Sequence, residues 1–169
     1  WQKRLDGGAW IDIANTAATY SETPGSVGLW DYRAVVQSGP CGASNSVAFT
    51  VTVAPTTVAG AVSGTITEIC LGDPTGTLTL AGHTGSVLKW QRSNDGGTTW
   101  TDIANTTTTH SETPATAGTW MYRAEVQSGS CGAAFSTSFS ITVHPTSVGG
   151  TTSPITTTIF LGDNTGAIT

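Results

Sequence analysis

The chain repeats itself at a spacing of about 90 residues, and no other feature constrains its fold as strongly. Trp10, Ile13, Trp30, Tyr32, Arg33, Cys41, Phe49 and Pro55 return as Trp100, Ile103, Trp120, Tyr122, Arg123, Cys131, Phe139 and Pro145. Without a gap, residues 10–55 match residues 100–145 at 28 of 46 positions. The same offset carries residues 56–79 onto 146–169. There Ile69, Leu71, Gly72, Asp73, Thr75 and Gly76 reappear as Ile159, Leu161, Gly162, Asp163, Thr165 and Gly166. A fixed period of this length builds an array of domain-sized modules, and arrays serve as spacers or multivalent surfaces more often than as catalysts.

The phase of the repeat sets the expected organisation. Trp1 aligns with Trp90 and Thr169 with Thr79. Residues 1–55 then form the C-terminal part of a first module, 56–145 a complete module, and 146–169 the N-terminal strands of a third. The expectation is a window of a longer tandem array.

Composition narrows the class. Charged residues make up 10% of the chain, while Thr, Ser, Gly and Val dominate, as in β-rich extracellular modules whose pleated strands favour Thr and Val. A net charge of −5 with six scattered Lys and Arg argues against nucleic acid, which needs a clustered basic face. It gives no support to an anionic membrane surface either. No apolar run approaches the roughly 20 residues a membrane-spanning helix needs, so no direct membrane insertion is expected.

Cysteine placement carries a further expectation. Cys70 lies near the start of the complete module and Cys131 near its end, which makes them partners for a structural disulfide, with Cys41 the counterpart of Cys131. Such a bridge would close a loop of about 60 residues and contribute roughly 4 kcal/mol in the chain-entropy model. It would also imply an oxidising, extracellular compartment. No CxxC pair occurs, and no Cys–His cluster has zinc spacing, so no metal or other cofactor is expected.

Periodicity of two recurs along the module. In residues 120–127, Trp120, Tyr122, Ala124 and Val126 share one face, while Met121, Arg123, Glu125 and Gln127 share the other. The earlier copy keeps Trp30, Tyr32, Ala34 and Val36 and changes the opposite face, as a buried and a solvated face should. Phe139, Ile141 and Val143 alternate likewise, as do Leu78 with Leu80 and Leu88 with Trp90. Strands are predicted at roughly 65–71, 76–82, 86–93, 99–104, 106–112, 118–127 and 135–143, with a hairpin turn at Asp95-Gly96-Gly97. Seven short antiparallel strands in about 90 residues predict an all-β chain of tandem immunoglobulin-like sandwiches. Trp90, Trp120, Tyr122, Val126 and Phe139 are the expected core.

Several motifs together carry a resemblance. They are Lys89-Trp90-Gln91, Asp95-Gly96-Gly97, Trp100-x-Asp102-Ile103-Ala104-Asn105-Thr106 and Tyr122-Arg123-Ala124-x-Val126-Gln127-Ser128-Gly129-x-Cys131, with Ile69-Cys70-Leu71-Gly72 upstream. This pattern resembles the Ig-like repeats of very large Bacteroidota surface proteins, gliding-motility and type IX-exported adhesins among them. The resemblance covers nearly the whole chain. It implies secretion, display at the cell surface and adhesion, without naming a ligand.

Candidate sites are sparse. Of the histidines, His110 and His144 are replaced by Tyr20 and Ala54 in the other copy, and no G-x-S-x-G, H-E-x-x-H or phosphate-binding loop occurs. The chain is therefore not expected to be an enzyme. Asp73 and Asp163 lie in Gly-Asp-x-Thr-Gly turns with few further carboxylates, so each is expected to stabilise its own turn rather than bind calcium. A ligand face is conceivable along Trp100, Arg123 and Gln127, repeated by Arg33 and Gln37, where aromatic and outward polar groups could meet a surface polysaccharide. The competing assignments are core packing for Trp100 and cross-strand pairing for the arginines.

The expected function is therefore a structural and adhesive segment of a long extracellular filament whose partners are neighbouring repeats of the same chain or filament. Pro55 and Pro145 follow the last strands and predict short, stiff joins. A carbohydrate-binding module is the first alternative. The second is a filament subunit assembled by strand exchange, in which one chain's tail completes the next chain's head.

Overall fold

A computed structural model of the chain describes residues 1–151, 158–162 and 164, and every regular element among them is a strand. Half of the expected third module, Asp163 and Thr165 included, lies outside the described residues. The first 55 residues hold β1 (Gln2–Leu5), β2 (Ile11–Asp12), β3 (Gly28–Arg33), β4 (Val35–Val36), β5 (Ser44–Asn45) and β6 (Phe49–Val53). The complete module holds β7 (Ala61–Ser63), β8 (Glu68–Cys70), β9 (Leu78–Ala81), β10 (Ser86–Ser93) and β11 (Thr101–Ile103). It continues with β12 (Thr109–His110), β13 (Gly118–Gln127), β14 (Ala134–Phe135) and β15 (Phe139–His144).

The complete module is a two-sheet β-sandwich. One sheet runs β11-β10-β13-β15-β8, with β14 also on β13, and the other runs β12-β9-β7. Between them lie Val62, Leu78, Leu80, Val87, Trp90, Trp120, Tyr122, Ala124, Val126, Ile141 and Val143, with Phe139 packed at the edge. β13 shows why the sequence folds this way. Its even-numbered residues from Trp120 to Val126 are buried and the intervening ones partly exposed, so one pleated face supplies the core and the other meets water.

The structure departs from the sequence expectation in three places. The strand expected at 65–71 shortens to β8, and a further strand, β7, precedes it. β7 pairs with β9 in one sheet, whereas β8 joins β15 in the other, so Val62 and Ile69 enter the same core from opposite layers. The crossing passes Gly64, where a Cβ would lie 2.9 Å from Leu78 and Phe139 side-chain atoms. β8 runs parallel to β15 rather than antiparallel.

Residues 135–143 are also broken. Ser136 accepts the Ala124 N–H through its hydroxyl at 2.9 Å, and Thr137 bonds to Gly60 and Val62 across the edge. β14 and β15 are therefore separate strands. Lastly, β10 carries a bulge between Val87 and Lys89 in its register with β13. The bulge turns Val87 inward and leaves Leu88 42% exposed, so Leu88 does not share the Trp90 face. Val87→Ala is expected to cost about 2 kcal/mol and Leu88→Ala no more than about 0.5 kcal/mol, measured by urea denaturation.

The Cys70–Cys131 bridge expected from the sequence is corrected by the strand directions. All three cysteines are free thiols. Cys70 sits beside His144 at the end of β15, and β15 pairs antiparallel with β13 so that this end meets Gly118. Cys131 follows the other end of β13, beyond Gln127. The ten residues of β13 separate the two by roughly 30 Å, far beyond the ~7 Å between Cα atoms that a disulfide tolerates.

The first 55 residues repeat one layer of this design. β2-β1-β3-β6 form a sheet equivalent to β11-β10-β13-β15, with β4 and β5 paired beside it. Among the described residues no second sheet covers it. Trp1, Tyr20, Tyr32, Phe49 and Val51 line an open hollow of about 340 Å³, and Phe49 is 70% exposed.

Candidate functional site

Three places concentrate side chains that could serve a function: the outward face of the β10–β13 sheet, a carboxylate cluster at the sandwich edge, and the junction between modules.

On the outward face, β11 and β13 flank β10, so the side chains of Asp102, Gln91 and Arg123 meet in one row. The Arg123 guanidinium lies 3.9 Å from the centre of the Trp100 ring and 4.0 Å from that of Phe135. Its Nε donates to Gln91 Oε1 at 2.8 Å, and Gln91 Nε2 donates to Asp102 Oδ1 at 2.7 Å. Burial against the rings lowers the Arg123 pKa, opposed by the Glu125 charge. Lys89 completes the row, 2.8 Å from Asp102 and 3.3 Å from Glu125. The Asp102 bond raises the Lys89 pKa, and Lys89 in turn lowers that of Asp102.

The first module repeats the motif. Arg33 lies 3.9 Å over Trp10 and donates to Gln2 Oε1 at 2.8 Å, with Arg4 at 4.5 Å over the same ring. The structure thus brings Trp100 and Arg123 together, but as partners of each other. A sugar stacks on a bare aromatic face, and Arg123 covers one face of Trp100. Gln127 and Gln37 stand apart from this row. Each donates to the carbonyl of Cys131 or Cys41, at 2.8 Å and 2.9 Å, and so holds its own turn.

The carboxylate cluster around Glu112, just beyond β12, is a feature that sequence reasoning missed. Tyr122 donates its hydroxyl to Glu112 Oε1 at 2.9 Å, and Arg92 Nη1 donates to Oε2 at 2.7 Å. The Glu112 backbone is tied to Thr75, whose N–H donates to Glu112 O at 2.8 Å. Burial alone would raise the Glu112 pKa, but the His110, Tyr122 and Arg92 groups facing it outweigh this and hold it below the ordinary value. Burial, reinforced by the Glu112 charge, pushes the Tyr122 phenol well up.

The same cluster recurs around Glu22. Lys3, Tyr20 and Tyr32 donate to it at 2.6, 2.5 and 2.7 Å. Burial opposes, but these donors bring Glu22 down to about 2. Tyr32 is pushed up to about 12, by burial first and Glu22 second. The signal was present in the repeat: Glu22 and Glu112, Tyr32 and Tyr122, and the basic Lys3 and Arg92 are matched pairs. Tyr20 supplies a hydroxyl where His110 Nε2 stands 3.7 Å from Glu112, buried and without a hydrogen bond. The cluster fixes a loop to the sheet, and its groups neutralise one another.

Turn residues complete the inventory. Asp95 accepts from Thr99 Oγ1 at 2.5 Å and from Ser93 Oγ at 2.7 Å, which lowers its pKa, the Thr99 bond most. Asp73 N–H donates to Cys70 O at 3.0 Å, closing its own turn. Among the described residues no three His, Cys, Asp or Glu side chains gather as metal ligands would.

The junction is built from short contacts. Ser128 N–H donates to Thr57 Oγ1 at 3.0 Å, and Cys131 Sγ lies 3.6 Å from the Pro55 carbonyl oxygen. Gly129 leaves no room for a side chain, because a Cβ there would lie 2.7 Å from Ala54 Cβ.

A family model described as a domain of unknown function (DUF8696) matches residues 1–55 and residues 58–145. No curated protein matches the chain.

Proposed function

The chain belongs to the DUF8696 family, and on that premise we propose that it is a structural and adhesive segment of a long extracellular, cell-surface filament built from tandem immunoglobulin-like sandwiches. The observation that carries this reading is the junction. Residues 54–57 are gripped by the turn at 128–131 through a hydrogen bond, a thiol–carbonyl contact and a glycine that admits close approach. Such a join resists bending better than a free linker of the same length would, which suits a stalk that holds weak, repeated contacts away from a cell. The outward face agrees, since its arginines, glutamines and carboxylates are paired with neighbours rather than arranged around a cleft.

Two measurements test the proposal. Denaturing, reducing electrophoresis with peptide mapping should give a native polypeptide of hundreds of kilodaltons that yields many near-identical peptides. Brief protease treatment of intact cells should release those peptides. A native product near 17.2 kDa, or peptides protected until the cells are broken, would overturn it.

A second reading, a subunit assembled by strand exchange, draws on the open hollow over Trp1, Tyr32 and Phe49. Strands of the β7–β9 type would fill it, and the small native mass would favour this reading.

A further inference from the structure

Cys131 and Cys70 mark opposite ends of the complete module, and each end faces a neighbouring module in a tandem array. At the first end, Cys131 Sγ lies 3.6 Å from Pro55 O, and Gly129 abuts Ala54. At the other end, β8 runs parallel to β15 with Cys70 directly beside His144, and Leu71 N–H donates to His144 O at 2.8 Å. The repeat makes Ala54 the counterpart of His144 and β6 the counterpart of β15.

A strand of the β8 type laid along β6 in the same register therefore places its cysteine beside Ala54, the residue that the 128–131 turn touches. Adjacent strands lie about 4.8 Å apart, so that cysteine and Cys131 both stand against residues 54–55, at one junction, although within one module they stand at opposite ends. Disulfides span Cα separations of about 4.4–6.8 Å, the range the stapled pair must reach.

We propose that these cysteines staple consecutive modules to each other, the β8-type cysteine of one module to the β13–β14-turn cysteine of the next. This rests on the tandem-array reading. Cys131 serves the junction at residues 54–57, and Cys70 serves the junction after His144. Phe160 stands at the Cys70 position of the following repeat, so the junction which that residue would serve lacks the staple.

The bond forms by thiol–disulfide exchange with an oxidised small disulfide or a disulfide-carrying oxidoreductase. One thiolate attacks the carrier disulfide and releases a carrier thiol. The second thiolate then displaces the other half, leaving one protein disulfide and two carrier thiols, with two electrons passed to the carrier. An exposed Cys70 and a partly exposed Cys131 leave both sulfurs open to this exchange.

The test extends the whole chain at its amino end with a second copy of residues 56–89, which gives the first module strands of the β7–β9 type and a copy of Cys70. After equilibration in a glutathione redox buffer, non-reducing peptide mapping should link the added cysteine to Cys131. Thiol titration should show two fewer free thiols, and the melting temperature should fall when a reductant is added. Cys131→Ser should abolish the link, and Cys41→Ser should leave it intact.

A link between the added cysteine and Cys41, or free thiols throughout while near-ultraviolet circular dichroism shows the added strands packed, would overturn the proposal. Should the added strands fail to pack, the native polypeptide is mapped directly. There, a Cys131 peptide linked to a β8-type cysteine of another module supports the staple, and free thiols or a Cys70–Cys131 link refute it. A short native polypeptide would refute the array reading by itself, while the extended chain would still report whether the bridge geometry exists.

Discussion

Trp90→Ala is expected to destabilise the complete module by about 3–5 kcal/mol, the largest effect of any single truncation in the chain. Trp90 is wholly buried, and its indole N–H donates to Thr107 O at 2.8 Å. Its ring lies 5.5 Å from that of His110. Alanine removes the volume, strands the Thr107 carbonyl and leaves a cavity between two sheets that cannot collapse fully. Small domains have about 5–15 kcal/mol to lose, so the module should be largely unfolded at modest urea concentrations. Its counterpart Trp1 supplies the control. Trp1 is only partly buried over the open hollow, so Trp1→Ala should cost less than half as much. Urea titration followed by fluorescence of the remaining tryptophans checks both, and equal costs would mean that the first module is covered in solution.

The second large effect concerns Glu112. Glu112→Ala is expected to cost about 2–3 kcal/mol, because it leaves the Tyr122 hydroxyl and the Arg92 guanidinium without their acceptor at a half-buried edge. The same group makes stability depend on pH. Its folded pKa lies below the ordinary 4.5, so the unfolded state binds the proton more readily. The stabilisation is thus fully present above about pH 4.5 and is lost as pH falls through the lower folded value. Glu112→Gln keeps an acceptor for one donor and removes the titration. Its melting temperature should therefore fall less than that of the parent chain between about pH 7 and about pH 3. The acid limb will not vanish, since Glu22 titrates in the same direction with a pKa of about 2. Identical limbs in parent and variant would refute the assignment.

The alternation of β13 shows how much was legible in the chain itself. Trp120, Tyr122, Ala124 and Val126 could be placed inside from the period of two and from the drift of the opposite face between copies. The turn at Asp95-Gly96-Gly97 could be read as well, since paired glycines admit the positive φ, 74° and 84°, that it needs. These features are local, or are repeated in the text of the sequence, and local sterics with simple burial decide them.

What the sequence left open depended on which strand lies beside which. The bulge that admits Val87 and expels Leu88 arises from the register of β10 on β13, and both residues are equally apolar in the sequence. Glu112 stood out only once Tyr122 and Arg92 came to it from two strands of the sheet. Trp100 and Arg123 were candidates for a ligand until the sheet stacked one on the other.

The cysteines make the same point most sharply. Sequence separation made Cys70 and Cys131 partners, but the parallel placement of β8 on β15 put them at opposite ends of the sandwich. Chain order and residue pattern thus determined the all-β class, the inward faces of the strands and their turns. Tertiary structure alone decided the polar and thiol partnerships, because each requires two side chains from distant strands to meet within a few ångströms, and strand order and direction set those distances.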